Sequence, residues 1–246
     1  MTPPADSRRD YGRAGRIGVG TPQANPTVEA EFRRLLPVDV EFVSTRLVSR
    51  QADARARLVE YLERLDDSLA SYGGMGLDLY CFACTGSSYL LGHAAERERV
   101  DRAANRFGYP VITATQAIEE RLQQLQARRI ALIAPYPEWL LSAAVAWWRG
   151  RGFEVASQRQ VAIARPGDTS SIYELTSADA LAAVRAAGDL RVDALLLSGT
   201  GMPTLPALAA IQAVAGVPVL SSNLALAGQA VARLGLTLSP LPTPAD

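Results

Sequence analysis

Cysteine is nearly absent: the 246-residue chain holds two, Cys81 and Cys84, spaced as C-x-x-C. So close a pair cannot staple a protein of this size, which excludes a disulfide scaffold and points to reduced thiols. Histidine is scarcer still, with His93 alone in "LLGHAAER", nine residues beyond Cys84 (93 − 84 = 9). That leaves too few ligands for a C-x-x-C metal clip, so no metal is expected and His93 reads as an ordinary helix residue. Neither sign of charge is in excess, with 25 Lys+Arg against 25 Asp+Glu. No whole-protein field therefore favours nucleic acid or an anionic membrane, and the ligand is expected to be small. No apolar run is long enough to span a bilayer, and "MTPPADSRRDYGRAG" lacks the apolar core of a signal peptide. The expected setting is cytoplasmic.

What is present is alternation. Short β-branched or apolar runs, among them "RIGVGTP", "LDLYCFACTG", "RRIALIAPY" and "VDALLLSGTG", are separated by Ala/Leu/Arg segments of helical period such as "TQAIEERLQQLQA". The pattern predicts βαβ units and parallel sheets buried on both faces. It also repeats. "RIGVGTPQAN" resembles "RIALIAPYPE", with Arg16 and Arg129 offset by 129 − 16 = 113; "LDLYCFACTGSSYL" resembles "VDALLLSGTGMPTL", with Asp78 and Asp193 offset by 193 − 78 = 115. A period of half a chain is a duplicated domain. The expected division is a first lobe over 15–115 completed by a helix at 224–236, a second lobe over 116–223, and flexible tails at 1–14 and 237–246. Loops at the carboxyl ends of equivalent strands would face each other across one cleft, the edge where open parallel sheets bind ligands. The apolar "AVAWW" at 144–148 is either an oligomer interface or core, so homo-oligomerisation stays open.

The same offset carries Cys84 to position 199, which is glycine. One face of the cleft has a thiol and its mate has none. Such a site suits one thiol acting as nucleophile or one-sided proton donor, and a cysteine placed at 199 would be expected to restore a two-base cycle. Cys81, mid-strand in "LDLYCFA", reads as inert core. "CTGSS" and "SGTG" place small residues and hydroxyls at strand ends, where main-chain N–H groups converge on a carboxylate and are expected to lower the pKa of a nearby thiol. Asn25, in "GTPQANPTVEAEF", is a ligand-binding candidate or a helix cap; Tyr136, in "APYPEW", is a site residue or a half-buried aromatic.

Together these residues resemble the aspartate/glutamate racemase superfamily, in its maleate isomerase and arylmalonate decarboxylase branch, over residues 15 to 235. The resemblance rests on "RIGVGTPQANPTVEAEF", "FACTGSSYLLG", "IALIAPY" and "LLLSGTGMPTL". It implies an α/β protein of two pseudo-symmetric flavodoxin-like lobes, each with a parallel four-stranded sheet, and an active site between them. It makes Cys84 the catalytic residue, Asn25 and Tyr136 carboxylate-binding residues, and Thr85, Gly86, Thr200 and Gly201 the oxyanion-binding loops. At Gly199 the chain departs from the family, which carries a second cysteine there. The implied activity is cofactor-independent isomerisation of a small unsaturated dicarboxylate. The alternatives are decarboxylation of a substituted malonate with one-sided protonation by Cys84, and non-enzymatic binding of a small acid.

Overall fold

The structure, a computed structural model, describes residues 9–165 and 169–241. Strands β1 (Gly15–Pro22), β2 (Val40–Leu47), β3 (Leu79–Phe82) and β4 (Val111–Thr113) form one sheet in the order β2-β1-β3-β4. Strands β5 (Arg129–Ala134), β6 (Glu154–Gln160), β7 (Ala194–Leu197) and β8 (Val219–Ser221) form a second in the order β6-β5-β7-β8. All pairings are parallel. The inner strands "LYCF" and "ALLL" are buried at every residue, as two-face coverage requires, whereas the edge strand β6 is polar and exposed apart from Val155.

The helices are α1 (Thr27–Leu35), α2 (Ala54–Glu63), α3 (Leu65–Ala70), α4 (Thr85–Leu91), α5 (His93–Phe107), α6 (Ala114–Gln124), α7 (Glu138–Gly150), α8 (Ser177–Ala187), α9 (Leu208–Ala215) and α10 (Ser222–Arg233). Short 3-10 turns lie at Ser170–Glu174 and Leu205–Ala207. Both fourth strands run straight into a helix. Thr113 starts α6 through a reciprocal cap with Gln116, and Ser221 accepts from the Leu224 amide to start α10. These two equivalent helices pack on each other, and α10 also packs on α1.

The duplication extends to register. Ile17 pairs with Leu79 and Gly20 with Phe82; Ile130 pairs with Ala194 and Ile133 with Leu197. The offsets are 130 − 17 = 133 − 20 = 113 and 194 − 79 = 197 − 82 = 115, those of the sequence repeat. The equivalence of Cys84 and Gly199 therefore holds in three dimensions. Asp78 and Asp193 are equivalent too, each accepting a hydrogen bond from the amide that opens the neighbouring central strand, Arg16 or Arg129.

One open alternative is decided and one sequence expectation changes. Trp147 and Trp148 of "AVAWW" are buried, so this stretch is core. Ser239, expected in a flexible tail, donates its amide to Leu35 O and its hydroxyl to Leu36 O, so the chain is anchored to the end of α1 beyond residue 237. Of the expected tails, residues 1–8 and 242–246 lie outside the described residues, while Ala14 donates its amide to Asp39 O.

Candidate active site

In each sheet the strand order reverses between the two central strands, β1/β3 and β5/β7, and the carboxyl edge of such a switch point is where open α/β sheets leave a crevice. The chain leaving each of these strands enters the same cleft: Asn25 after β1, Cys84 to Gly86 after β3, Tyr136 after β5, and Gly199 to Gly201 after β7. All eight line one small cavity of about 40 Å3. Pro22, Leu58, Leu140, Thr169, Ile172 and Tyr173 also line it, and among the described residues no charged side chain does. Thr169 and Tyr173 also border an outer chamber of about 370 Å3 that carries Arg50 and Arg57.

Cys84 precedes the first residue of α4 in extended conformation and is almost fully buried. Its Sγ accepts from Ser87 Oγ at 3.2 Å. Burial is the largest influence on the thiol and pushes its pKa up, against the opposing pull of Ser87 and of the Gly86 and Ser87 amides. Neither amide closes a cap hydrogen bond on the sulfur. This corrects the expected lowering: the loss of water on burial outweighs the donors, and the resting thiol is neutral. Cys81 lies in the middle of β3, fully buried, its thiol driven further upward by burial alone. Both cysteines are free.

Asn25 stands both at the start of α1 and in the cavity wall. Its Oδ1 accepts from the Thr27 amide at the start of α1, while its Nδ2 donates across the cleft to Thr200 Oγ1 at 3.2 Å. Thr200 in turn spends its only proton on Ala83 O, at 2.9 Å. Its hydroxyl is thus a strut between the halves. Thr27 Oγ1 adds a second strut, to Gly201 O at 2.9 Å. Glu31 of α1 holds the same loop: its Oε1 accepts from the Thr204 and Leu205 amides, and its Oε2 from Asn223 Nδ2. Tyr136 is buried, its Oη 2.7 Å from Thr85 Oγ1 and 2.9 Å from Ser198 Oγ, and burial keeps its pKa well above the usual phenol value.

At Gly199 the two halves part. Cys84 has φ −148°, but Gly199 has φ +123°, and a Cβ there would meet Pro135 Cδ at 3.1 Å and Tyr136 Cε1 at 3.4 Å. A cysteine at 199 would therefore be strained and aimed at Pro135, so a single substitution does not restore the symmetric thiol. Gly201 answers a different constraint: a Cβ there would lie 2.7 Å from Tyr173 Cε1, so the turn covering the cavity needs glycine beneath it. His93 stands at the start of α5, edge-on to Trp147 at 6.1 Å, away from the cavity lining.

Several lining or supporting residues escaped sequence reasoning. Ser87 and Ser198 lay inside the quoted "CTGSS" and "SGTG" stretches, whereas Leu58, Leu140, Ile172 and Tyr173 carried no local signal. Among the described residues, no group of three or more His, Cys, Asp or Glu could hold a metal ion, and no helix is long and apolar enough to cross a membrane.

Two doubly wound sheets with matching register, sharing one cleft at their switch points with a strand-end thiol and hydroxyl-rich loops, define an enzyme of the aspartate/glutamate racemase superfamily. Within it the chain belongs to the arylmalonate decarboxylase family, whose model matches residues 17–241. A maleate isomerase from Pseudomonas putida is 30% identical over 224 residues, covering 85% of this chain and 88% of the relative. A cysteine-to-alanine variant of the maleate isomerase from Pseudomonas putida S16, solved with maleate, superposes with a TM-score of 0.82 at 24% identity, over 90% of this chain and 92% of that one. The maleate cis-trans isomerase of Nocardia farcinica, solved as a cysteine-to-serine variant with a covalently bound succinylcysteine intermediate, gives 0.79 at 24% identity, over 90% and 93%.

Proposed function

We propose that this enzyme is a cofactor-independent cis-trans isomerase of a small unsaturated dicarboxylate, with Cys84 as its nucleophile. The observation that carries the reading is the single thiol in the wall of a cavity otherwise lined by neutral hydrogen-bond donors and apolar side chains. The maleate isomerases among its relatives supply the substrate class. The cavity has room for about three waters, so a dicarboxylate must widen it on binding, and it borders, at Thr169 and Tyr173, an outer chamber whose Arg50 and Arg57 attract anions.

In the cycle we propose, the Cys84 proton passes to a carboxylate oxygen of the bound acid and sulfur adds to the adjacent double-bond carbon. The π-electron pair moves onto the other carboxyl group as an enediolate. Donors from Asn25 Nδ2 and Thr85 Oγ1, with the amides of the two glycine-containing loops, stabilise that charge. Rotation about the new single bond, collapse of the enediolate and departure of sulfur give the trans acid, and the proton returns to the thiol. No second thiol is required, consistent with glycine at 199.

The neutral resting thiol favours a second reading. A thiol held above its ordinary pKa is a proton donor, and in a malonate decarboxylase it would protonate the enediolate left by loss of CO2 from one face only, then regain its proton from water. Incubating the protein with maleate and, separately, with an arylmalonate in deuterated water, followed by NMR, separates the two. Fumarate formed by wild type and not by Cys84→Ala supports isomerisation. Turnover of the malonate alone would replace it with decarboxylation, and turnover of neither defeats both.

A further inference from the structure

Five buried groups run in one line from the core to the cavity wall, crossing between the two halves of the molecule. Trp148 Nε1 donates to Tyr89 Oη at 3.1 Å; Tyr89 Oη and Ser198 Oγ lie 2.8 Å apart; Ser198 Oγ and Tyr136 Oη, 2.9 Å; Tyr136 Oη and Thr85 Oγ1, 2.7 Å. Proton counting gives the line a direction. An indole N–H can only donate. Tyr89 Oη accepts that bond, and the only other partner of this hydroxyl among the described residues is Ser198, which must take its single proton. By the same count Ser198 donates to Tyr136 and Tyr136 to Thr85. Five protons share four links, and the one left over belongs to Thr85, on the cavity wall. The reverse direction strands the Tyr89 proton in the core, which costs the full desolvation of that hydroxyl. Burial raises the pKa of both tyrosines, so each stays protonated and able to donate.

We infer that Trp148→Tyr89→Ser198→Tyr136→Thr85 is a one-way hydrogen-bond relay that presets Thr85 Oγ1 as a donor to a carboxylate oxygen of the bound acid. Trp148, Tyr89 and Ser198 are then positioning residues for carboxylate recognition, each bond polarising the next. No proton is transferred along the line; only its orientation is set. The inference rests on the carboxylate-binding reading above. Its consequence is selectivity. A carboxylate offers acceptors only, whereas a carboxamide offers a donor as well, so a Thr85 free to reverse could accept from an amide N–H while a Thr85 fixed as donor cannot.

The test is the preference for succinate over its monoamide, from the two dissociation constants measured calorimetrically on the full chain. Tyr89→Phe keeps the ring that packs edge-on against Trp147 and Trp148 and removes only the hydroxyl. Ser198→Ala breaks the line one link nearer the cavity. Each is expected to lower the acid-over-monoamide preference about fivefold, and Thr85→Val, which removes the donor, to weaken succinate binding about tenfold. Unchanged preference in folded Tyr89→Phe and Ser198→Ala, or wild-type succinate affinity in Thr85→Val, overturns the relay while leaving carboxylate binding intact. A wild-type protein that binds neither compound removes the carboxylate reading, and the relay with it.

Discussion

Replacing Gly199 by alanine tests how the two halves came to differ. At φ +123° an L-residue is strained, at a cost of about 2 kcal/mol. The new Cβ would also press on the rigid Pro135 ring, with Cδ at 3.1 Å and Cγ at 3.3 Å, and overpacking of that kind adds about 1 kcal/mol. A total of about 3 kcal/mol lowers Tm by roughly 6–12 °C in a chain of this size. Gly152→Ala is the control: its φ is also positive, at +86°, but no atom lies within 4 Å of the added Cβ, so it carries the conformational cost alone. Thermal and urea unfolding of both variants should therefore rank Gly199→Ala below Gly152→Ala and both below wild type. Gly199→Cys should be at least as destabilised as Gly199→Ala and should not exchange or racemise the α-proton of an arylpropionate, because a thiol displaced by about 1 Å already loses about a hundredfold in rate. A Gly199→Ala protein within about 0.5 kcal/mol of wild type, or a stable Gly199→Cys protein with two-base activity, would refute the reasoning.

Three further outcomes are expected. Cys84→Ala should abolish turnover, whereas Cys81→Ala, a small change in the core of β3, should cost about 1–2 kcal/mol and keep most activity; equal loss in folded forms of both would reverse the roles. Iodoacetamide should label Cys84 slowly near pH 7, with a rate that climbs as pH rises through a midpoint above the ordinary thiol value of about 8.5, because the buried neutral form must first lose its proton; a midpoint below pH 7 would contradict the burial argument. Glu31→Ala should destabilise the protein by about 3 kcal/mol in urea unfolding, since the Thr204 and Leu205 amides and Asn223 Nδ2 lose their shared buried acceptor. A loss under about 1 kcal/mol would show that the loop is held by other means.

The inner strands were legible because each is a short apolar or β-branched run, and the repeat offsets of 113 and 115 were enough to match Cys84 with Gly199. Local pattern carries that much. What it does not carry is how a loop residue spends its hydrogen bonds. Thr200 reads as a donor in "SGTG" but is consumed by Ala83 O, a contact 117 positions away. Nor does composition report water exclusion: the nest around Cys84 reads as thiolate-stabilising, yet burial of the thiol reverses the sign. The relay joins Trp148 to Tyr89 and Tyr89 to Ser198, pairs 59 and 109 residues apart, and no window of sequence contains either. Gly199 shows the same limit, because the letter reveals a missing thiol and only the backbone reveals why one cannot simply be added.

The central claim is that sulfur at position 84 bonds to the substrate. Acid quenching during turnover of maleate, followed by fragment-ion mass spectrometry of the peptide containing residues 78–92, should find one equivalent of the dicarboxylic acid on Cys84 and none on Cys81. Turnover that continues in Cys84→Ala, or an adduct confined to Cys81, would contradict it.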